Sequence, residues 1–182
     1  MPDEVARTGE GDAAAPETVE ESDVAAELIA LLTHRGLTVA VAESLTGGLL
    51  VAELIRIPGA SAVVLGGVVA YNTELKHTVL GVDAALLAEH GPVHQEVAMQ
   101  MAANVRSVLA VDETPANIGI ATTGVAGPEW QGGHPPGTVF VGIAVGKDVR
   151  SLRFQFSGDR QAIRAAVVSE SLVQLKVRLH EL

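Results

Sequence analysis

Short apolar segments alternate with segments of helical periodicity along this 182-residue chain, and this alternation constrains its fold more than any other feature. Apolar residues at helical spacing predict helices over residues 24–35, 83–90, 95–110 and 159–179, and another that follows Thr46 and ends near residue 57. Apolar, β-branched runs predict strands over residues 38–42, 62–71, 117–121, 138–145 and 149–156. This order predicts one domain over residues 24–182, a three-layer α/β/α sandwich with a mixed sheet between two helical layers.

Small residues must build the core of this sandwich. Hydrophobic residues make up 48% of the chain but aromatic residues only 3%, and the 19 glycines favour close packing of helices on a sheet. Two glycine positions carry specific predictions: the pair at 66 and 67 predicts a β-bulge, and residues 146–148 predict a hairpin turn. The absence of cysteine excludes disulfides, thiolate metal sites and a cysteine nucleophile.

Negative charge is concentrated at the N-terminus. Residues 1–23 contain eight acidic residues and one arginine, so they carry −7 of the net charge of −10, and they predict a disordered acidic tail. The remainder has no basic stripe, so nucleic acid is not an expected partner. No apolar run is long enough to span a membrane and no signal-peptide pattern is present, so we expect a cytoplasmic protein with no membrane partner.

A serine directly after a predicted buried strand is the first candidate for chemistry. Ser44 follows the strand over residues 38–42 and is followed by Thr46, Gly47 and Gly48 at the start of a predicted helix. Free N–H groups at such a junction can bind an anion or stabilise an oxyanion, and the glycines would allow a substrate to approach closely. The alternative is structural: Ser44 or Thr46 would only cap the helix, and the glycines would serve packing.

A lysine after the second strand is the candidate base. Lys76 is one of three lysines, and Tyr71, the only tyrosine, precedes it by five residues. A lysine can take a proton near neutral pH only where burial or a neighbouring charge lowers its pKa. A Ser44–Lys76 pair would then activate the hydroxyl without a histidine, whereas the alternative is an ordinary solvated lysine.

Two further segments could bind a ligand. Thr123, Gly124, Ala126 and Gly127 follow the third strand, where loop amides can line a site or merely form a turn. Arg160 opens the last helix and could hold a phosphate, although it and Arg164 could equally be surface residues. The six histidines form no HxH or HExxH motif, so we expect neither a catalytic metal nor another cofactor.

Five motifs in series are more specific than any of them alone. The segments AESLTGG, AYNTELK, GVAGP, GTVFVGIA and FSGDR, in this order, resemble the C-terminal deamidase domain of the CinA family over residues 24–180. The chain looks most similar to the stand-alone, PncC-type members of that family, which are nicotinamide-nucleotide amidohydrolases. The resemblance implies hydrolysis of nicotinamide mononucleotide to nicotinate mononucleotide and ammonia, in pyridine nucleotide recycling, by a homo-oligomer that needs no metal.

Residue by residue, the resemblance implies that Ser44 is the nucleophile, Lys76 its base and Tyr71 a further catalytic residue. It assigns substrate contacts to the loop from Gly124 to Pro128 and to Arg160, and amides near residues 46–48 are candidates for oxyanion support. Two other functions stay open from sequence: a non-catalytic nucleotide-binding module of the same fold, and an oligomeric scaffold whose acidic tail recruits a partner.

Overall fold

A computed structural model describes residues 23–181 of the chain. The helices are α1 (Val24–Arg35), α2 (Leu49–Ile55), α3 (Thr73–Thr78), α4 (Ala84–His90), α5 (Gln95–Val108) and α6 (Arg160–His180), with a short 3-10 helix at Ala60–Ala62. The strands are β1 (Val39–Glu43), β2 (Val64–Val69), β3 (Ile118–Gly124), β4 (Thr138–Val145) and β5 (Asp148–Gln155). These elements follow the order predicted from sequence, and the segment after β2 is a short helix.

The five strands form one mixed sheet in the order β2-β1-β3-β4-β5. β1 pairs in parallel with both β2 and β3, whereas β4 and β5 continue the sheet as an antiparallel hairpin. The helices lie on both faces of the sheet, so the predicted three-layer α/β/α sandwich is confirmed. The carboxyl ends of the three parallel strands meet at one edge of the sheet, which is where open α/β sheets bind their ligands.

Successive side chains of β1 face two different hydrophobic cores, one on each side of the sheet. Val39 and Val41 face the layer of α1, α2 and α6, while Ala40 and Ala42 face α5. Because successive strand residues point to opposite faces, the larger valine side chains lie on one face of β1 and the small alanine side chains on the other, which is the thin face.

Glycine on the thin face brings α5 against the sheet. A Cβ added to Gly119 would lie 1.8 Å from the Ala102 carbonyl oxygen, and one added to Gly142 would lie 2.1 Å from that of Ala98. No other residue fits at such distances. The glycine-rich composition therefore does serve close packing of a helix on the sheet.

Local predictions are confirmed, with small changes at the strand ends. β1 contacts Val64 and then Gly66 at successive residues, so the predicted bulge falls at Leu65. Val145 pairs with Asp148, which makes the predicted hairpin turn a two-residue connection. β3 continues to Gly124 because that residue still pairs with Val139, so the loop predicted from residue 123 begins later.

The predicted acidic tail lies outside the described residues apart from Asp23, which belongs to the folded domain. Its carboxylate accepts hydrogen bonds from the N–H groups of Ala25 and Ala26 at the start of α1 and forms an ion pair with Arg56. An aspartate at this position offsets the unpaired amides of a helix N-terminus. Across residues 23–181, no helix combines the length and hydropathy needed to cross a bilayer.

Candidate active site

A cleft of about 390 Å³ opens at the carboxyl edge of β1, β2 and β3. This volume lies within the range of small-molecule sites. Its walls come from the segments that follow these strands, together with the approach to α5 and the start of α6. The lining residues are Ser44, Leu45, Tyr71, Thr73, Lys76, Pro92, Val93, Arg160 and the continuous segment 123–131.

Ser44 and Lys76 meet at the floor of the cleft. The Nζ atom of Lys76 lies 3.0 Å from the Oγ atom of Ser44, and it donates a second hydrogen bond of 2.8 Å to the Ala70 carbonyl. Lys76 is 1% exposed and Ser44 is 8% exposed. Burial lowers the pKa of Lys76 from 10.5 to about 8, because the ammonium loses its hydration. The alternative of a solvated lysine is therefore wrong.

The short helix α3 explains how a lysine comes to be buried. The side chain of Asn72 accepts a hydrogen bond from the Glu74 N–H and starts the helix immediately after β2 ends. Lys76 is the one residue of α3 that is buried, so it points back under the sheet edge. The Val82 N–H closes the segment by donating to the Lys76 carbonyl. Ser44 is held in place by the neighbouring strand β3, because its N–H donates to the Thr122 carbonyl.

Glu43 controls the turn after β1, and sequence reasoning missed it. Its carboxylate is fully buried and accepts hydrogen bonds from the N–H groups of Gly48, Leu50 and Val51, at 2.9, 3.1 and 2.8 Å. Neither Ser44 nor Thr46 caps α2, so the capping role considered for them as a structural alternative is wrong. The sequence did contain a signal for this role, because Glu43 ends an otherwise apolar strand. A buried carboxylate needs hydrogen-bond donors, and the free N–H groups at the start of the next helix supply them.

The cleft wall does not include three of the predicted substrate-binding residues, Thr46, Gly47 and Gly48. The Thr46 hydroxyl is buried against the Thr122 hydroxyl at 2.8 Å. The Gly47 N–H donates to the Ser44 carbonyl, and the Gly48 N–H is one of those bound by the carboxylate of Glu43. These amides are already satisfied, so they are not available to an oxyanion.

The predicted loop after β3 does line the cleft, at Thr123, Gly124, Ala126 and Gly127. The Thr123 hydroxyl donates to the Pro92 carbonyl at 2.6 Å and so ties this wall to the segment before α5. Gly124 is needed there for space, because a Cβ at this position would lie 2.6 Å from the Thr138 carbonyl oxygen.

Arg160 bridges two walls of the cleft. It donates from Nη2 to the Tyr71 hydroxyl at 2.9 Å and from Nη1 to the Gly127 carbonyl at 2.8 Å. The carboxylate of the neighbouring Asp159 caps α6 by accepting from the Ala162 N–H, and it forms no ion pair with Arg160 within the described residues. The structure therefore brings together the predicted residues Tyr71, Gly127 and Arg160 at the cleft, and these two hydrogen bonds use two of the five N–H groups of the guanidinium.

The outer rim carries Trp130, the only tryptophan, which sequence reasoning also missed. It is 67% exposed, and Tyr71 on the same cleft is 60% exposed. A planar substrate entering here would pass two aromatic side chains. Within residues 23–181, no three His, Asp or Glu side chains lie close enough to form a metal site.

Comparisons with known proteins agree on one family. The family model for the CinA C-terminal domain matches residues 21–179. A CinA-like protein of Frankia casuarinae is 48% identical over 147 residues, covering 80% of this chain and 32% of that protein. The chain thus spans about a third of the length of the curated relatives it matches.

Solved structures of similar size share the fold. Competence damage-inducible protein A of Klebsiella pneumoniae superposes with a TM-score of 0.82 at 33% identity, covering 87% of this chain and 96% of that one. A competence/damage inducible protein of Agrobacterium tumefaciens superposes with a TM-score of 0.79 at 32% identity, covering 90% of this chain and 99% of that one. The motifs of the cleft, the family model and these structures agree, and the chain belongs to the CinA C-terminal domain family.

Proposed function

We propose that this protein hydrolyses the carboxamide of nicotinamide mononucleotide to the carboxylate, releasing ammonia, in pyridine nucleotide recycling. The observation that carries the proposal is the contact between Ser44 and the buried Lys76, whose pKa of about 8 leaves part of the amine neutral near pH 7. A neutral lysine beside a serine hydroxyl is a base and nucleophile pair. Pure ligand binding requires no such buried amine.

In the first half of the reaction, the Ser44 Oγ attacks the carboxamide carbon and its proton passes to Lys76 Nζ, 3.0 Å away. The carbonyl π electrons move to oxygen, which forms a tetrahedral oxyanion. When this intermediate collapses, the C–N bond breaks and Lys76 protonates the leaving nitrogen, so that ammonia departs. The product of this half is an ester between Ser44 and the pyridine acid.

In the second half, a water molecule takes the place of ammonia. Lys76 accepts a proton from water as its oxygen attacks the ester, and the proton returns to Ser44 Oγ as the C–O bond to the enzyme breaks. The acid product loses its proton to solvent and leaves as the carboxylate, and the dyad is restored. Neither half requires a redox step or a further co-reactant.

The remaining cleft residues are proposed to hold the nucleotide. Arg160 would bind the 5′-phosphate, because it supplies a guanidinium to the cleft and its neighbour Asp159 is occupied at α6. Tyr71 would contribute by fixing the Arg160 guanidinium, with which it already shares a hydrogen bond. The loop of Ala126 and Gly127 forms the facing wall.

The test is ammonia release from nicotinamide mononucleotide by purified protein, followed by a coupled glutamate dehydrogenase assay. Wild-type protein should release stoichiometric ammonia, while Ser44→Ala should lose several orders of magnitude in rate and keep its fold. Ser61→Ala is the matched control, because Ser61 is exposed on the 3-10 helix and away from the cleft. A wild-type rate equal to that of Ser44→Ala would refute the proposal. Binding without turnover would then favour the nucleotide-binding module.

A further inference from the structure

The rim of the cleft carries a carboxylate beside an aromatic side chain. Glu129 and Trp130 are adjacent in sequence, both are exposed, and both line the cleft. Among the residues that the structure describes, Glu129 is the one acidic member of the cleft lining, and its carboxylate forms no ion pair or hydrogen bond. A carboxylate next to an exposed aromatic face is a combination that binds organic cations.

The segment 128–131 runs between two walls of the cleft. Before it, the Gly127 carbonyl accepts a hydrogen bond of 2.8 Å from Arg160. After it, the His134 ring packs edge-on against Phe140 with 6.4 Å between the ring centroids, and Phe140 shares a small core with the wall that precedes α5. All four residues of the segment are exposed and line the cleft, whereas the floor is buried. The segment is therefore the outer rim, held at both of its ends.

The proposed substrate has to place its ring between the floor and this rim. Its carboxamide carbon must reach Ser44 at the floor, and its phosphate is assigned to Arg160 at the wall. The pyridine ring joins these two groups, because it carries the carboxamide on one carbon and the ribose phosphate on its nitrogen. That nitrogen is quaternary, so the ring carries a positive charge and has no N–H to donate. Such a cation is recognised by an opposite charge and by an aromatic face rather than by hydrogen bonds.

We infer that Glu129 and Trp130 are specificity-determining residues that select the positive charge of the oxidised pyridinium ring. The inference rests on the proposed function and narrows its substrate class to quaternary pyridinium carboxamides. The compound to be rejected is the reduced mononucleotide, whose dihydropyridine ring is neutral although it keeps the carboxamide, the ribose and the phosphate. The rim acts on binding alone and takes no proton or electron in the reaction.

Glu129 meets two opposite charges in the same substrate. Its carboxylate attracts the pyridinium ring and repels the phosphate dianion, so the affinity for the oxidised mononucleotide alone does not isolate the attraction. The oxidised and reduced mononucleotides carry the same phosphate, and the ratio of their Kd values therefore cancels the repulsion. Nicotinamide riboside keeps the cation and lacks the phosphate, so it reports the attraction directly.

The experiment measures Kd by calorimetry for the oxidised and the reduced mononucleotide in Ser44→Ala, which prevents turnover. The oxidised form should bind about fourfold to 25-fold more tightly, because an exposed cation–π contact and an exposed ion pair are each worth about two- to fivefold. Glu129→Gln and Trp130→Leu, each added to Ser44→Ala, should lower this ratio by about two- to fivefold. Both substitutions together should bring the ratio near one. Glu129→Gln should weaken nicotinamide riboside by the same factor by which it lowers the ratio.

Two further variants separate this contact from general effects. Glu74→Gln is the matched control, because Glu74 is an exposed acidic residue of α3 that does not line the cleft. It should leave the ratio within about 1.5-fold of its value in Ser44→Ala, since a charge outside the cleft is screened by solvent and salt. Trp130→Phe keeps an aromatic face and should retain most of the ratio. Circular dichroism of each variant checks the fold.

A ratio near one in Ser44→Ala, or a ratio that neither Glu129→Gln nor Trp130→Leu changes, would overturn the inference. Equal weakening of the oxidised and reduced forms by Glu129→Gln would overturn it as well, because that result indicates a contact with the ribose hydroxyls that both forms share. Wild-type ammonia release together with either result refutes only the inference. Absence of ammonia release by wild type refutes the proposed function itself, and the two failures are distinguished because Kd is measured without turnover.

Discussion

Raising the pH from 7 to 9 should increase kcat/KM for nicotinamide mononucleotide about tenfold, because only neutral Lys76 can accept the proton of Ser44. With a pKa of about 8, roughly 9% of the amine is neutral at pH 7. With the ordinary pKa of 10.5, only about 0.03% would be neutral. Burial therefore supplies about a 300-fold gain in active base at neutral pH.

The profile should rise with unit slope below pH 8 and level off above it, with its midpoint near the pKa of Lys76. The second ionisation of a phosphate monoester lies near pH 6, so from pH 7 upward roughly 90% or more of the substrate is already the dianion. Initial rates of ammonia release over pH 6.5–9.5 give the profile, with circular dichroism at each pH to exclude unfolding. A flat profile, or a midpoint above pH 10, would refute the assignment of Lys76 as the base.

The same group also predicts a change in stability, in a higher pH window than the change in activity. Because the folded-state pKa lies below the unfolded-state value, the unfolded chain binds more protons between pH 8 and 10.5, and stability rises with pH there. Below pH 8 the folded protein carries the full cost of burying a charged lysine, and a pKa shift of this size corresponds to about 3 kcal/mol of stability. Lys76→Met should lack this rise in urea unfolding experiments, while Lys147→Met, at the exposed turn between β4 and β5, should retain it.

Three other predictions test the rest of the site. Glu43→Gln places an amide NH₂ against amides of α2, so urea unfolding should show a loss of about 2 kcal/mol. Glu53→Gln, at a partly exposed position of α2, should change stability by less than about 0.5 kcal/mol. Equal losses would contradict the buried cap. Arg160→Ala should strongly reduce turnover of the mononucleotide and barely affect any activity on nicotinamide riboside, which lacks the phosphate; equal loss on both would remove the phosphate role. Because Trp130 is the only tryptophan and lines the cleft, adding the mononucleotide to Ser44→Ala should quench its fluorescence with saturation, and an unchanged spectrum despite calorimetric binding would place the ligand elsewhere.

Sequence patterns predicted the layers and the strands well because β-branched runs and helical periodicities are local signals. The meeting of Ser44 and Lys76 could also be anticipated, since parallel neighbours β1 and β2 end at the same sheet edge. The 3.0 Å separation of Ser44 Oγ and Lys76 Nζ could not be anticipated, because it depends on how α3 turns back beneath that edge. The walls at Pro92 and Trp130 were missed for a similar reason: contacts between distant segments, such as that of Thr123 with the Pro92 carbonyl, set the loop paths.

The pleat of β1 explains why the two buried charges next to the nucleophile do not neutralise each other. Valines at 39 and 41 face α2, so Glu43 faces α2 as well, and its carboxylate is bound by helix amides. Ser44 faces the opposite side, where Lys76 lies, and burial alone lowers the pKa of that lysine. A one-residue slip of β1 would exchange these environments and bring the carboxylate to the amine. An adjacent carboxylate would raise the pKa of Lys76 again and leave less neutral base. Strand register is thus part of the proposed catalytic chemistry.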